Sequence, residues 1–226
     1  GATVIEGKMN RGPAASRNEL LAATSCAWVH FHDADDVLHP AFVTRMSIRT
    51  LSGDADALLC QVDWLDETGA QTVLRWRYRD ETYQSPTAPA EMIVNIIGGI
   101  GGLYRTSHLR AVGGFRGELR YWEDLDLHLR LWRAGARLHV LDEVLSFAYR
   151  HAASSSNSNL VQVWRAKSAL LNEFFEDPSL DPVIAAAIGR EAEAIMQRQL
   201  NLGDAAGART SFELALRSGA DIPSTS

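Results

Sequence analysis

An apolar run at residues 27–31 passes directly into His32-Asp33-Ala34-Asp35-Asp36, and His39-Pro40 then opens a helical pattern over 41–51. This order constrains the fold more than any other feature. A buried strand that ends in an acidic loop and returns as a helix is a unit of α/β domains, whose chemistry sits at the carboxyl ends of strands. The 226 residues suffice for one such domain and a small annex. No apolar run nears the ~20 residues of a membrane span, and the opening residues show no secretory pattern. The net charge of −6 speaks against sequence-independent nucleic-acid binding, which needs a basic surface. Cys26 and Cys60 are too few for a disulfide framework or a cysteine-rich zinc site, and are expected as reduced, buried thiols.

Residues 3–5 form a short β-branched run. Residues 13–25 predict a helix with Pro13 in its first turn and a stripe of Ala14, Ala15, Leu20, Leu21 and Ala22. Residues 55–64 and 71–78 predict a hairpin about the turn at Glu67-Thr68-Gly69-Ala70. In its second strand Arg75, Arg77 and Arg79 alternate with Leu74, Trp76 and Tyr78. The basic face is either an ordinary solvated face or an acceptor site. A helix is expected at 90–97, then a glycine-dense bend at 98–102 and a short strand at Leu103-Tyr104. Residues 122–134 predict a helix that starts with acids, ends with Arg130 and Arg133, and stops at Gly135. A strand follows at 137–145, and helices at 160–175, 182–200 and 205–218. The serine-rich stretch before Asn159 divides an α/β domain, 1–158, from a helical extension, 159–226.

Four constellations carry chemistry. Asp33 and Asp35 stand one residue apart after a buried strand. Together they can reach one hard cation, Mg²⁺ or Mn²⁺, which takes oxygen ligands and shares them with a diphosphate. The same loop would also cap the next helix. Glu123 and Asp124 open a helix beyond a glycine bend, where a carboxylate can act as general base on a hydroxyl; they would equally compensate the helix dipole. His151, in Tyr149-Arg150-His151, is either a metal or phosphate contact or a surface histidine at a domain edge. Asn10-Arg11-Gly12 with Arg17-Asn18 offers an arginine and backbone amides to phosphate or ribose, or is plain helix polarity.

Taken in order, these stretches resemble the family 2 glycosyltransferases. The matching text is Asn10-Arg11-Gly12, Ser16-Arg17-Asn18, and Trp28 through Asp36 with Pro40. It continues with Gly101-Gly102-Leu103-Tyr104-Arg105, Val112-Gly113-Gly114-Phe115, and Glu123-Asp124-Leu125-Asp126-Leu127 with Arg130 before Gly135. It ends at Arg150-His151. The resemblance implies a GT-A-like, Rossmann-related mixed sheet flanked by helices, with a C-terminal helical annex. It implies a metal-dependent, inverting transfer of sugar from a nucleoside-diphosphate sugar to a hydroxyl acceptor, glycan, lipid-linked or protein. Asp33 and Asp35 would face the diphosphate, with Asp35 the metal ligand, Asp33 nearer the ribose, and His151 a third metal or phosphate contact. Asn10, Arg17, Gly101 and Gly102 would line the donor. Asp124 would deprotonate the acceptor, with Glu123 beside it.

The departure is at the front. Family members begin with a strand, a helix and a second strand whose acids read the nucleobase. The implied sheet is therefore N-terminally incomplete, with weak donor binding by this stretch alone. Unpaired edges at 3–5 and 27–31 would favour self-association. The competing readings are a non-catalytic binding or scaffolding relative and an inactive fragment of a longer transferase. A cytoplasmic location, peripheral at the inner membrane face, is expected because nucleotide sugars are used there.

Overall fold

The structure is a computed structural model and describes residues 2–7, 9–95, 101–150 and 159–219. The chain divides into two compact units, Gly1–Gln84 with Ile97–Tyr149, and Ser85–Ile96 with Arg150–Ser226.

The first unit is built on a mixed sheet. Its strands are β1 (Trp28–Val29), β2 (Val37–Leu38), β3 (Ala57–Leu65), β4 (Thr72–Trp76), β5 (Gly102–Arg105) and β6 (Leu138–Tyr149). The order is β1-β5-β3-β6-β2, and β4 also pairs with β3. Strands β3 and β6 run parallel from Ala57↔Leu138 to Leu65↔Tyr149; every other pair is antiparallel. The first six residues of β3 are all buried, as a strand covered on both faces requires. Along one edge β3 pairs first with β5, at Ala57–Leu59, and then with β4, at Val62–Leu65. The helices of this unit are α1 (Gly12–Ala23), α2 (Phe42–Thr50), α3 (Asp80–Tyr83), α5 (Thr106–Ala111) and α6 (Glu123–Arg133). Phe42 and Met46 of α2 pack on Leu58, Cys60 and Leu145 of the sheet.

Two local devices set the strand ends. Asp56 is buried before β3 and accepts from the Arg137 amide (3.1 Å), the Arg137 guanidinium (3.0 Å) and Arg105 (3.1 Å), so one carboxylate ties the approaches to β3, β5 and β6. Burial opposes its charge, but the Arg137 bonds prevail and hold it down at about 2. Gly135 (φ 76°) ends α6: its amide donates to Trp132 O and that of Ala136 to Leu131 O, the paired closure that favours a left-handed glycine.

Several expectations are corrected. Residues 3–5 form no strand and Val4 is 80% exposed; three residues with no edge to pair against gain no ladder bonds. The strand expected at 27–31 contracts to Trp28–Val29, with Phe31 buried by packing beyond it. Cys26 is exposed in the turn after α1, where its amide bonds Thr24 Oγ1, whereas Cys60 is buried and its thiol pushed up to about 12 by burial. Residues 98–100 of the glycine bend, and His151, lie outside the described residues.

The second unit holds α4 (Ala88–Val94), α7 (Leu160–Phe175), α8 (Pro182–Asn201) and α9 (Ala205–Arg217). It takes in 85–96, a segment that a boundary at 158 leaves with the α/β part. Asn159, Asp181 and Asp204 cap α7, α8 and α9 by accepting from the amides of Gln162, Val183 and Gly207. Lys167, 1% exposed, donates to Glu191 (2.7 Å) and to Ile93 O of α4 (2.9 Å). Among the described residues no helix is long and apolar enough to cross a membrane.

Candidate active site

One turn of α1 organises the site. Arg17 donates to Glu123 (2.8 Å), at the start of α6, and to both oxygens of Asp33 (3.0 and 3.2 Å), in the loop after β1. Its guanidinium also lies over the Phe115 ring, 5.5 Å from the centroid. Burial alone would ease off its proton, but Asp33 and Glu123 more than offset this and raise its pKa. Next to it, Asn18 donates to Phe115 O (2.7 Å) and accepts from Phe115 N (2.8 Å), clamping that residue's backbone. A side chain at Gly114 would meet Asn18 Oδ1 at 2.5 Å, and its φ of 70° also asks for glycine. Phe115 is thereby held edge-on to Phe31, 5.1 Å between ring centroids.

The acids of α6 go to three different fates. Trp122 enters the helix in the left-handed region (φ 65°, ψ 22°), a conformation that costs a bulky residue on the order of 1–3 kcal/mol. Glu123 turns to Arg17. Asp126, 3% exposed, accepts from Arg130 (2.6 and 2.8 Å) and from Arg116 (3.4 Å). Arg130 in turn donates to Val112 O and Gly114 O, at 2.7 and 2.8 Å. Asp126 therefore straps the Val112-Gly113-Gly114-Phe115 loop to α6 and is consumed by packing. Asp124 accepts from the Leu125 amide (2.8 Å), and its charge is felt at Arg17, Tyr78 and Tyr104. One turn further along, His128 Nε2 bonds the Tyr104 phenol at 2.8 Å. Burial drives that imidazole down to about 3 and the phenol well up, so both are neutral.

In the acidic loop the Asp36 amide donates to Asp33 O (3.1 Å) and His32 Nε2 to Asp36 O (2.9 Å). Asp36 Oδ1 accepts from the Tyr149 amide (3.3 Å), and burial pushes its carboxyl up to about 6. Asp35 is exposed to solvent. His30 donates from Nδ1 to Gly102 O (2.7 Å), joining this loop to the glycine bend. The glycines are demanded from below: a Cβ at Gly101 would meet Val62 and Cys60 O at 3.0 and 3.1 Å, and one at Gly102 would collide with the Tyr104 phenol. Asn10 accepts from the Gly12 amide (3.0 Å) and stays exposed at the approach to α1.

The structure thus joins Arg17, Asp33 and Glu123 in one network, with Asp124 within electrostatic reach. Among the described residues no three His, Cys, Asp or Glu side chains gather as a metal-binding group. Asp33 and Asp35 are two hard-oxygen donors on one accessible loop, a set that suits Mg²⁺ or Mn²⁺ completed by diphosphate oxygens. From sequence, Phe115 and the Tyr104–His128 pair have no role, Asn18 stands with Arg17 as a phosphate or ribose contact, and Arg130 is a dipole complement. The structure instead uses Asn18 to clamp Phe115 and Arg130 to strap the loop before it.

A carboxylate network at the carboxyl ends of a mixed sheet, with a glycine bend and an acidic helix start, defines a GT-A glycosyltransferase fold. Residues 1–111 match the model of glycosyl transferase family 2, which bears out the resemblance drawn from the motifs. The fold is similar to that of S. aureus TarS 1–349 in complex with UDP-GlcNAc: 18% identity, TM-score 0.59, covering 96% of this chain and 75% of that one. The same fragment with UDP gives 18% identity and a TM-score of 0.53, covering 92% of this chain and 72% of that one. Against the longer S. aureus TarS chain the values are 18% and 0.52, covering 91% of this chain and 43% of that one. Comparison with curated proteins gives no significant match.

Proposed function

We infer that the chain is a metal-dependent, inverting glycosyltransferase that moves a sugar from a nucleoside-diphosphate sugar to a hydroxyl acceptor. The observation that carries this reading is the Arg17 network: one guanidinium ties Asp33, in the acidic loop, to Glu123, at the start of α6, with Asp124 within its electrostatic reach. The matched family segment and the UDP-GlcNAc and UDP complexes of the similar S. aureus structures support a nucleotide-sugar donor. Asp124 takes the acceptor's proton as its oxygen bonds to the anomeric carbon, and the nucleoside diphosphate departs from the opposite face with the bonding pair. Arg17 fixes Asp33 on the donor side and Glu123 on the acceptor side with one guanidinium. Asp33 and Asp35, with His151 beside the diphosphate, would hold Mg²⁺ or Mn²⁺, which neutralises charge on the leaving group when bound. Asn10, Gly101 and Gly102 line the donor, and the protein works at the cytoplasmic face, where its donor is made.

The test is Asp124→Asn, which keeps shape but cannot take a proton. Turnover should fall by about 10²–10⁴ while donor affinity, by calorimetry, holds. Near wild-type turnover would remove Asp124 from the role.

A further inference from the structure

The β3–β4 hairpin is left open on its outer side. Its register, Val62↔Trp76, Asp63↔Arg75 and Trp64↔Leu74, puts Val62, Trp64 and Trp76 on one packed face and Asp63 and Arg75 on the other. Strand β4 is nonetheless poorly covered: Val73 and Leu74 are 45% and 47% exposed, and Arg75 is exposed. Beyond it the chain stays extended without a partner strand. Gln61 substitutes for one by accepting from the Tyr78 amide (2.7 Å) and donating to Tyr78 O (2.8 Å). Arg79 is also extended, at φ −118° and ψ 128°. The inward residue, Tyr78, is buried, and the alternation turns Arg75, Arg77 and Arg79 outward, about 6.6 Å apart per two residues.

Two of these cations are not neutralised by their neighbours. Arg77 is held by Asp63, Val62 O and Trp76 O. Among the described residues neither Arg75 nor Arg79 has an ion-pair partner. Asp80, next along the chain, is turned inward to the Val140 amide at 2.6 Å. A chain of net charge −6 has thus placed a ridge of guanidinium groups on an uncovered strand.

We propose that the exposed face of β4 and its extension binds an anionic glycan acceptor whose repeated phosphate or carboxylate groups pair with Arg75 and Arg79, with Arg77 between them held by Asp63. The proposal rests on the transferase reading and names its acceptor class. Guanidinium groups pair with either oxyanion in the same forked geometry, and exposed Val73, on the same face as Arg75, offers apolar surface to a sugar ring.

The experiment measures binding of the full chain to inorganic polyphosphate, polygalacturonate and neutral dextran over a salt series, with UDP titrated separately. The double variant Arg75→Gln/Arg79→Gln is compared with Arg209→Gln, at a cation with 82% side-chain exposure in α9. One or both polyanions should bind and dextran should not. The double variant should bind about tenfold more weakly with a salt slope smaller by roughly two, while Arg209→Gln changes neither. Tighter binding of polyphosphate or of polygalacturonate identifies the anion. Equal binding of dextran, no polyanion binding, or equal affinities of wild type and double variant would overturn the proposal. UDP binding retained in that event leaves the transferase reading standing; UDP binding absent while polyanions bind would overturn only that reading. Both arginines are exposed, and matching thermal melts establish that the variants fold.

Discussion

The three carboxylates of the acidic loop differ by environment alone. Asp33 is paired with Arg17, Asp35 is in solvent, and Asp36 is half-buried against the Tyr149 amide with its carboxyl pushed up from 3.8 to about 6. An acid whose folded pKa exceeds its unfolded one holds its proton longer in the folded state. Its stabilisation is complete below the unfolded value, falls between about 4 and 6, and stays lost above. Asp36→Asn keeps an acceptor for the Tyr149 amide and removes the buried charge. It should therefore raise the melting temperature of the metal-free protein at pH 7.5, and the gain should shrink as pH is lowered toward 4. A pH-independent gain would show that Asp36 titrates normally. Which residues form the loop was legible in the sequence; which of them stays free was not. Arg17 reaches Glu123 across 106 positions, a pairing that no local pattern encodes.

Between elements, the Asp126–Arg130 strap joins α6 to the loop that presents Phe115 to Arg17. Asp126→Ala leaves Arg130 without its carboxylate in a part-buried setting, while Arg116 keeps Glu118, and should cost about 2–4 kcal/mol in urea unfolding. Asp124→Asn in the same assay should change stability by less than about 0.5 kcal/mol, because it keeps the shape and an acceptor for the Leu125 amide. Equal losses at the two positions would show that both acids are structural. The long elements were readable because their periodicity is repeated many times: α7 falls at 160–175 as its spacing predicts, and β3, α6 and α8 shift by only a residue or two. Strands β1 and β2 are two residues each, too short for any period, and exist because β5 and β6 offer edges to them. The expected strand at 3–5 has the right residue types and no edge, so composition alone misled there. The glycine pairs were legible as bends, but the reason for them, the Tyr104 phenol under Gly102 and Asn18 under Gly114, is tertiary.

Across the whole chain, the helical unit is defined by a lysine whose charge calls for solvent but whose place in the helix, four after Val163 and three before Leu170, faces the core. Lys167 sits inside α7, yet it is buried, satisfies Ile93 O at the end of α4 and pairs with Glu191 of α8. Arg198 adds a weaker contact to Glu191 at 3.6 Å and stacks on Trp164. This bond is one reason that 85–96 clusters with the C-terminal helices although 63 residues of chain separate it from α7. A buried ion pair contributes little net stability over an apolar pair of the same volume, but a lone buried charge is costly. Lys167→Ala leaves Glu191 with only Arg198 and opens a void, and should destabilise by about 3–5 kcal/mol in denaturant unfolding. Lys167→Met with Glu191→Leu removes both charges and keeps the volume, and should return most of that loss. The comparison separates charge from packing: if the double variant is as unstable as Lys167→Ala, the loss comes from packing around α4, and the ion pair is not what holds this unit together.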